Sequence, residues 1–275
     1  MKKCILYIIF IALILSVVGC KNSDRQSAIT VISREDGSGT KSAFESIFGI
    51  EETTVNAEIT NSTAVMINTV MGDKNSIGYI SLGSINKNVK NLKVDGAECS
   101  AENIKNGSYK IFRDLNVVTG SKLSDIAKDF LEFALSRDGQ KIVESSGYVS
   151  IDSESGYNSK DLTGEITLVG SSSVAPVVEK LKEAYLKLNP KSSIEIQQND
   201  STTGVSSVLD GIGDIGMVSR ELKTEESEKG LTVQKIATDG IAVIVNKENS
   251  CDGLCITEIN KIFSGIITNW NELRY

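Results

Sequence analysis

Histidine is absent from this 275-residue sequence, and its absence excludes several kinds of chemistry. Ser–His–Asp and Cys–His catalysis both need an imidazole, and so do histidine-based metal sites. Only five cysteines are present, and Cys251 and Cys255 are separated by three residues. A four-ligand soft-metal site would need further ligands that the sequence does not supply, so we expect no metal. Two alternatives stay open for this pair, a local disulfide or two thiols.

Positively charged residues are also few. The sequence has 29 lysines and arginines against 36 acidic residues, which gives a net charge of −7. A net acidic surface does not attract nucleic acid, and we expect no nucleic-acid partner. A small anion is not excluded, since backbone amides and one or two arginines can dominate the field inside a cleft. No nucleophile has an adjacent general base, so we predict that the protein is not an enzyme and needs no cofactor.

The sequence lacks an apolar run of about 20 residues, the length that a comfortable membrane span needs. The run from Ile5 to Val18 is shorter and follows two lysines, which is typical of a signal peptide over residues 1–19. It ends in V-V-G-C, which resembles a bacterial lipobox, so Cys20 is the predicted lipidation (palmitate) site and 20–28 a polar tether. An ordinary signal peptide that contains a cysteine is the alternative. We therefore expect an extracytoplasmic protein that is lipid-anchored to the bacterial cell membrane.

After the tether, β-branched runs alternate with amphipathic runs, and this alternation predicts an α/β protein. Residues 151–163 are polar and predict a linker between two halves that are not repeats of each other. The predicted strands cover 29–33, 77–80, 164–170, 193–197, 214–218 and 240–246, and the predicted helices 41–48, 124–145, 174–188 and 257–263.

Three places share one design, in which a strand is followed by Gly, Ser and Thr residues and then by a helix. They are Gly37–Thr40, Gly170–Ser173 and Asp200–Gly204. A helix N-terminus has backbone N–H groups without partners and a partial positive charge, and nearby hydroxyls add further donors. Several such termini together predict a pocket for a tetrahedral oxyanion, with Arg34 and Arg220 just outside it.

Each feature also has a simpler explanation. Serine and threonine are the ordinary N-cap residues, so any one junction could be helix capping alone. Arg34 and Arg220 could form surface ion pairs with neighbours such as Glu35 and Glu221. The combination of three junctions and two arginines favours the anion pocket.

Several motifs together resemble the phosphate-binding proteins of phosphate ABC transporters. The resemblance covers nearly the whole sequence after the tether, in R-E-D-G-S-G-T (34–40), G-S-S-S-V-A-P (170–176), D-I-G-M-V-S-R (214–220), 239–246 and 262–270. It implies a two-lobed periplasmic-binding-protein fold of type II, with inorganic phosphate held in the cleft between the lobes. The implied partners are the membrane permease and the ATPase subunits of a phosphate importer.

The resemblance also implies the ligand-binding residues, which carry over position by position. They are Arg34, Ser38, Gly39, Thr40, Ser172, Ser173, Ser201, Ser219 and Arg220. Some family members place an aspartate near the Ser219 position to accept the proton of hydrogen phosphate, and this sequence has serine and arginine there. Asp36 and Asp239 are the remaining candidates for that role.

The order of the two halves is reversed relative to the family, in which the G-S-S-S segment precedes the R-x-x-G-S-G-T segment. We therefore interpret the sequence as a circular permutant, in which 151–163 joins the usual ends. One lobe is expected at 82–240 and the other at 29–81 plus 241–275. The hinge is expected at 77–80 and 241–245.

Three alternatives accompany this reading. The sequence could belong to a gene fragment that needs a partner chain. The same fold could bind another oxyanion. It could also serve as a sensor or adhesion lipoprotein.

Overall fold

The computed structural model describes residues 28–273. The predicted signal peptide, the lipidation site at Cys20 and most of the tether lie outside the described residues. Within 28–273, no helix is both long enough and apolar enough to span a bilayer.

The mixed α/β class predicted from the alternation is confirmed. The strands are β1 (Thr30–Arg34), β2 (Glu58–Thr60), β3 (Ser76–Ser81), β4 (Val89–Asn91), β5 (Lys93–Val94), β6 (Phe112–Thr119), β7 (Gly164–Ser171), β8 (Ser192–Asn199), β9 (Ile215–Val218), β10 (Thr232–Asn246) and β11 (Gly253–Leu254). The α-helices are α1 (Gly39–Phe48), α2 (Thr63–Gly72), α3 (Ala101–Lys105), α4 (Asp125–Leu135), α5 (Arg137–Ser145), α6 (Ala175–Leu188), α7 (Ser201–Leu209), α8 (Thr224–Ser227) and α9 (Ile256–Phe263). Short 3₁₀ helices cover Leu82–Ser84 and Trp270–Glu272.

The long strand β10 connects the two parts of the main sheet. The sheet order is β2-β1-β3-β10-β6-β9-β7-β8, and β4 also pairs with β10. The second half of β10, Ile241 to Val245, lies antiparallel to β3, whereas its first half, Thr232 to Gly240, lies antiparallel to β6. One strand therefore contributes to both halves of the molecule.

Two large hydrophobic cores divide the chain. The first core takes its buried side chains from 31–111 and 241–273, and the second from 115–237. We call residues 28–111 with 241–273 lobe A, and residues 113–240 lobe B. The chain crosses between them at Phe112 and at Gly240, which are register partners on β6 and β10.

The predicted lobe boundary at Leu82 is corrected by this division. Val89, Leu92 and Tyr109 are buried in the first core rather than in the second. The cause is non-local, because β4 pairs with the lobe A half of β10 and the Tyr109 hydroxyl donates to the Ile241 carbonyl at 2.7 Å. The predicted crossing at 77–80 is wrong for the same reason, since β3 lies wholly within lobe A.

The predicted helix over 124–145 is two helices, α4 and α5, which meet at Ser136. Ser136 has an extended backbone, and its hydroxyl accepts a hydrogen bond from the Gly139 amide at 3.2 Å as the N-cap of α5. A serine that satisfies a helix start in this way ends one helix and begins the next. Continuous amphipathic periodicity does not reveal this break.

The predicted linker 151–163 has no regular secondary structure but is fixed by side-chain hydrogen bonds. The Tyr157 hydroxyl donates to Asp129 at 2.7 Å, and the Ser159 hydroxyl donates to Asn189 at 2.7 Å. Asp129 also accepts from the Tyr185 hydroxyl at 2.8 Å. The segment is therefore attached to α4 and α6 rather than loosely connected.

Cys251 and Cys255 are thiols in the structure, not a disulfide. Cys251 is buried and Cys255 is exposed, with the extended strand β11 between them. The disulfide alternative is therefore not realised.

Candidate anion-binding site

The lobe A side of the site is the start of α1. Ser38 is the N-cap of this helix, and its hydroxyl accepts a hydrogen bond from the Lys41 amide at 3.4 Å. Gly37 precedes it at a φ of 93°, a backbone conformation that favours glycine. Thr40 follows inside the first turn, and its Oγ1 lies 2.8 Å from the Ser173 Oγ of lobe B. The helix start therefore contacts the other lobe directly.

The lobe B side consists of serines that follow β7 and β9 and begin α7. The hydroxyls of Ser171 and Ser219 lie 2.8 Å apart, and those of Ser201 and Ser219 lie 3.3 Å apart. The Ser201 hydroxyl also accepts a hydrogen bond from the Ser219 amide at 3.0 Å. These residues lie at the carboxyl ends of neighbouring parallel strands, which brings them together.

Thr63 joins the two sides, although the sequence analysis did not select it. Its Oγ1 lies 3.4 Å from the hydroxyls of both Ser172 and Ser173. Thr63 is the first residue of α2, directly after β2 and an N-cap serine. The pattern of a strand, a hydroxyl residue and a helix start, which predicts the other three junctions, also occurs at Thr63. The sequence therefore contains the pattern that predicts this residue as part of the site.

Together these side chains form a buried set of hydroxyls from both lobes, which we call the hydroxyl cluster. All of its members are less than 9% exposed. Its members are Thr40, Thr63, Ser171, Ser172, Ser173, Ser201 and Ser219.

Gly39 lies at a close approach between the lobes. A Cβ at this position would be 2.4 Å from the Ser201 Oγ and 2.6 Å from the Ser219 Oγ. Both distances are far below van der Waals contact, so a larger residue would hold the lobes apart. The structure thus places Gly39 and Thr40 against the predicted serines of lobe B, with Ser38 beside them as the N-cap of α1.

Arg34 has two partners, the expected neighbour Glu35 and a serine of the hydroxyl cluster. Its Nε and Nη2 atoms each donate to the Glu35 carboxylate at 2.8 Å, and Nη2 also lies 3.4 Å from the Ser172 Oγ. The arginine side chain is 3% exposed and the glutamate side chain 22%. Arg34 therefore reaches the hydroxyl cluster while paired to its neighbour in sequence.

Arg220 is placed differently from the prediction, because its terminal nitrogens bond to other groups of lobe B. They donate to the two Glu226 carboxylate oxygens at 2.7 and 2.8 Å, and Nη2 also donates to Thr202 Oγ1 at 3.2 Å. Glu221, the neighbour proposed from sequence, contributes only its carbonyl oxygen. No hydrogen bond joins Arg220 to the hydroxyl cluster within residues 28–273.

Asp36 and Asp239, the candidates for accepting the proton of hydrogen phosphate, do not hydrogen-bond to the hydroxyl cluster. The Asp36 side chain is 97% exposed, and its hydrogen bond with Lys41 lowers its pKa. Asp239 is fully buried, and this burial raises its pKa. It accepts from Arg113 at 3.2 Å and from Ser81 at 2.8 Å.

Arg113 links this buried carboxylate to the site only indirectly, because it donates to the Ser219 carbonyl at 3.2 Å. In the described part of the chain, the hydroxyl cluster thus contains donors and acceptors that rotate but no carboxylate. Such a cluster can donate to oxyanion oxygens and can also accept a hydrogen bond from a protonated oxygen.

Comparison with known families agrees with this geometry. The family model of the PBP superfamily domain matches residues 21–138 and 155–274. The phosphate-binding protein PstS 2 of Streptococcus agalactiae serotype V is 48% identical over 271 residues, which cover 94% of this chain and 92% of that protein. The chain belongs to the PstS family of the PBP superfamily.

Other PstS relatives are similar to this chain in sequence and in structure. PstS 2 of Streptococcus pneumoniae serotype 4 is 42% identical over 94% of each chain. The crystal structure of a phosphate-binding protein of a phosphate ABC transporter from S. pneumoniae TIGR4 is 42% identical and has a TM-score of 0.71. It covers 90% of this chain and is itself covered completely. The predicted family and the periplasmic-binding-protein fold are therefore confirmed.

Proposed function

We propose that this protein binds inorganic phosphate in the closed cleft between lobes A and B and delivers it to an ABC-type importer. The observation that carries the proposal is the hydroxyl cluster, in which Thr40 of lobe A meets Ser173 of lobe B at 2.8 Å. A buried, donor-rich cluster beside an arginine suits a tetrahedral oxyanion. The PstS relatives are phosphate-binding proteins, which supports phosphate as that anion.

Titration calorimetry with phosphate, sulfate and molybdate tests this proposal. The full chain with Cys20→Ser is suitable, because this change prevents lipidation without altering any described residue. We expect heat of binding with phosphate and much weaker binding of the other two anions. Heat from sulfate or molybdate with none from phosphate would overturn the proposal.

A second candidate ligand is another oxyanion, and the composition of the hydroxyl cluster favours testing it. No carboxylate of residues 28–273 hydrogen-bonds to the cluster, so fully ionised anions meet no fixed negative acceptor there. Equal affinity for phosphate and sulfate in the same titration would support this candidate. We propose no catalytic role, and we expect no hydrolysis of a phosphate ester by the purified protein.

We also propose that the protein is extracytoplasmic and anchored through a lipid on Cys20. The support is the lipobox-like V-V-G-C sequence and the polar stretch that follows it. Labelled palmitate should be incorporated into the unmodified protein and not into the Cys20→Ser variant. Equal labelling of both would exclude Cys20 as the site.

The reversed order of the halves supports a circular permutation. PstS of Bacillus subtilis is 34% identical over only 125 residues, 44% of this chain. A linear comparison of two chains in opposite order can match only one half at a time, which fits this partial match. The 94% matches to the streptococcal relatives fit a shared, permuted order.

We propose a functional monomer rather than a gene fragment, because the two hydrophobic cores together use residues from 31 to 273. The first core joins 31–111 with 241–273, so both ends of the described chain complete the same lobe. Light scattering during gel filtration should give the mass of a monomer that binds phosphate. Binding by a dimer alone would support the fragment instead.

A further inference from the structure

One contact between the lobes lies beside the hydroxyl cluster and does not belong to it. The carbonyl oxygen of Gly37 in lobe A accepts two hydrogen bonds from Thr202 in lobe B. The backbone amide and the Oγ1 of Thr202 are each 3.3 Å from this oxygen. The contact therefore joins backbone to backbone across the cleft and needs no anion.

The threonine hydroxyl is held in position by Arg220. Arg220 Nη2 donates to Thr202 Oγ1 at 3.2 Å, so this hydroxyl accepts from the guanidinium and donates to Gly37. A hydroxyl that accepts from a cation becomes a better donor, because hydrogen bonds in a chain polarise one another. The arginine thus strengthens a contact that it does not make itself.

Glu226 in turn fixes the arginine. Its two carboxylate oxygens accept from both terminal nitrogens of Arg220, and one of them also accepts from the Lys223 amide at 2.8 Å. The arginine and glutamate side chains are only 5% and 8% exposed. A buried bidentate pair of this kind has little freedom to rotate, so the direction of Nη2 toward Thr202 is set.

Gly37 fits this arrangement from the other lobe. Its φ of 93° favours glycine, and a Cβ would lie 2.8 Å from Asp200 Oδ1 and 3.3 Å from Thr202 Oγ1. Asp200 cannot easily move away, because the same oxygen caps α7 by accepting from the Thr203 amide at 2.9 Å. A side chain at position 37 would therefore push the two lobes apart at this point.

From these contacts we propose that Gly37, Thr202, Arg220 and Glu226 form an interlobe latch. Arg220 and Glu226 are positioning residues for lobe closure rather than ligands of the anion. The latch stabilises the closed conformation and so slows release of the bound anion. This inference rests on the proposed function for its first measurement, the rate at which the anion is released. Its second measurement, the opening of the lobes without ligand, does not require phosphate binding.

The test compares Thr202→Val with the unmodified protein, both in the full chain with Cys20→Ser. Valine has the shape of threonine and removes only the hydroxyl. The hydrogen bond from the backbone amide of residue 202 to the Gly37 carbonyl is kept. We expect the dissociation rate of phosphate in stopped-flow experiments to rise about fivefold, the factor for about 1 kcal/mol. The association rate should not fall, because loss of the latch favours the open lobes that admit the anion.

Small-angle X-ray scattering without ligand supplies the second readout. Loss of the latch should shift the population toward open lobes and increase the radius of gyration. Ser206→Ala is the matched control, because this exposed hydroxyl on the same helix bonds only to the Thr203 carbonyl of its own helix. It should change neither the rates nor the radius.

Two further variants address the positioning residues. Glu226→Gln should raise the dissociation rate in the same direction, and its combination with Thr202→Val should add little, because both changes act on one contact. Gly37→Ala opens the contact from lobe A, so it tests the latch even if the Glu226 variant folds poorly.

The outcomes separate the proposals. An unchanged dissociation rate and radius for Thr202→Val would overturn the latch. A loss of affinity through the association rate in Glu226→Gln would instead assign Arg220 to the anion. Absence of phosphate binding in the unmodified protein would overturn the proposed function, while the scattering comparison would still decide the latch.

Discussion

The regions around Arg34 and Arg220 have similar sequences but different contacts. Arg34 is the last residue of β1 and Arg220 follows β9 by two residues, and each forms a bidentate pair with a glutamate. Arg34 pairs with its neighbour and also contacts Ser172 across the cleft, whereas Arg220 pairs with a glutamate six residues away and contacts only its own lobe. The difference shows that two arginines in similar motifs can have different hydrogen-bond partners.

The largest expected effect distinguishes the two pairs by stability. Arg220→Ala leaves a carboxylate that is 8% exposed without its cation, and breaking a buried pair in this way costs about 3–5 kcal/mol. Arg34→Ala should cost much less, because the Glu35 side chain is 22% exposed and can be hydrated. Urea unfolding measures both values. Equal losses would show that the two pairs are equally buried in solution.

The next effect distinguishes the two arginine–glutamate pairs by the affinity for phosphate. Here the Arg34 variant, not the Arg220 variant, should show the larger change. Arg34→Ala should weaken phosphate binding by at least about tenfold, because charge-assisted hydrogen bonds contribute about 1.5–3 kcal/mol each. Calorimetry measures the change, and Arg137→Ala, which removes an exposed arginine at the start of α5, is the matched control. An unchanged affinity for the Arg34 variant would show that the site is misplaced.

A smaller effect tests whether Thr63 belongs to the Arg34 side of the comparison. Thr63→Val removes a hydroxyl that lies 3.4 Å from two serines of lobe B. One neutral hydrogen bond contributes about 1 kcal/mol, so the affinity for phosphate should fall about fivefold. Thr69→Val on the same helix is the control, since that exposed hydroxyl bonds only to the Val65 carbonyl of α2. Equal affinities for the two variants would remove Thr63 from the site.

The smallest effect is a pH dependence on the Arg220 side. Burial alone would raise the pKa of Glu226, but hydrogen bonds from Arg220 and the Lys223 amide lower it below its usual value. A lowered pKa in the folded state gives stability that is present at neutral pH and lost as the solution is acidified through the folded pKa. Unfolding experiments between pH 7 and pH 3 should therefore show a smaller pH dependence for Glu226→Gln. An identical dependence would mean that the pair does not contribute.

The hydroxyl cluster could be predicted because its signals are local. Each junction of strand, Ser or Thr, and helix start is visible in a few consecutive residues, and Thr63 shows the same pattern. Within each lobe, parallel strands then bring these junctions to the same edge of the sheet.

The partners of Arg220 and the lobe boundary could not be predicted, because the first depends on the direction of a short helix and the second on pairing between distant strands. Glu226 reaches Arg220 only because the short helix α8 turns back toward β9. The segment around Val89 joins lobe A because β4 pairs with Asn246, more than 150 residues later. Neither pairing has a signal within the neighbouring sequence.

The fixed segment 151–163 and the pairing of Ala28 with Asn269 have a practical consequence for protein engineering. A gene rearranged to start near residue 164, with a short peptide joining 273 to 28, would encode the same two cores in the opposite order. Refolding rates of the two versions would then report how connectivity alone affects assembly, since every side chain in the cleft would be identical.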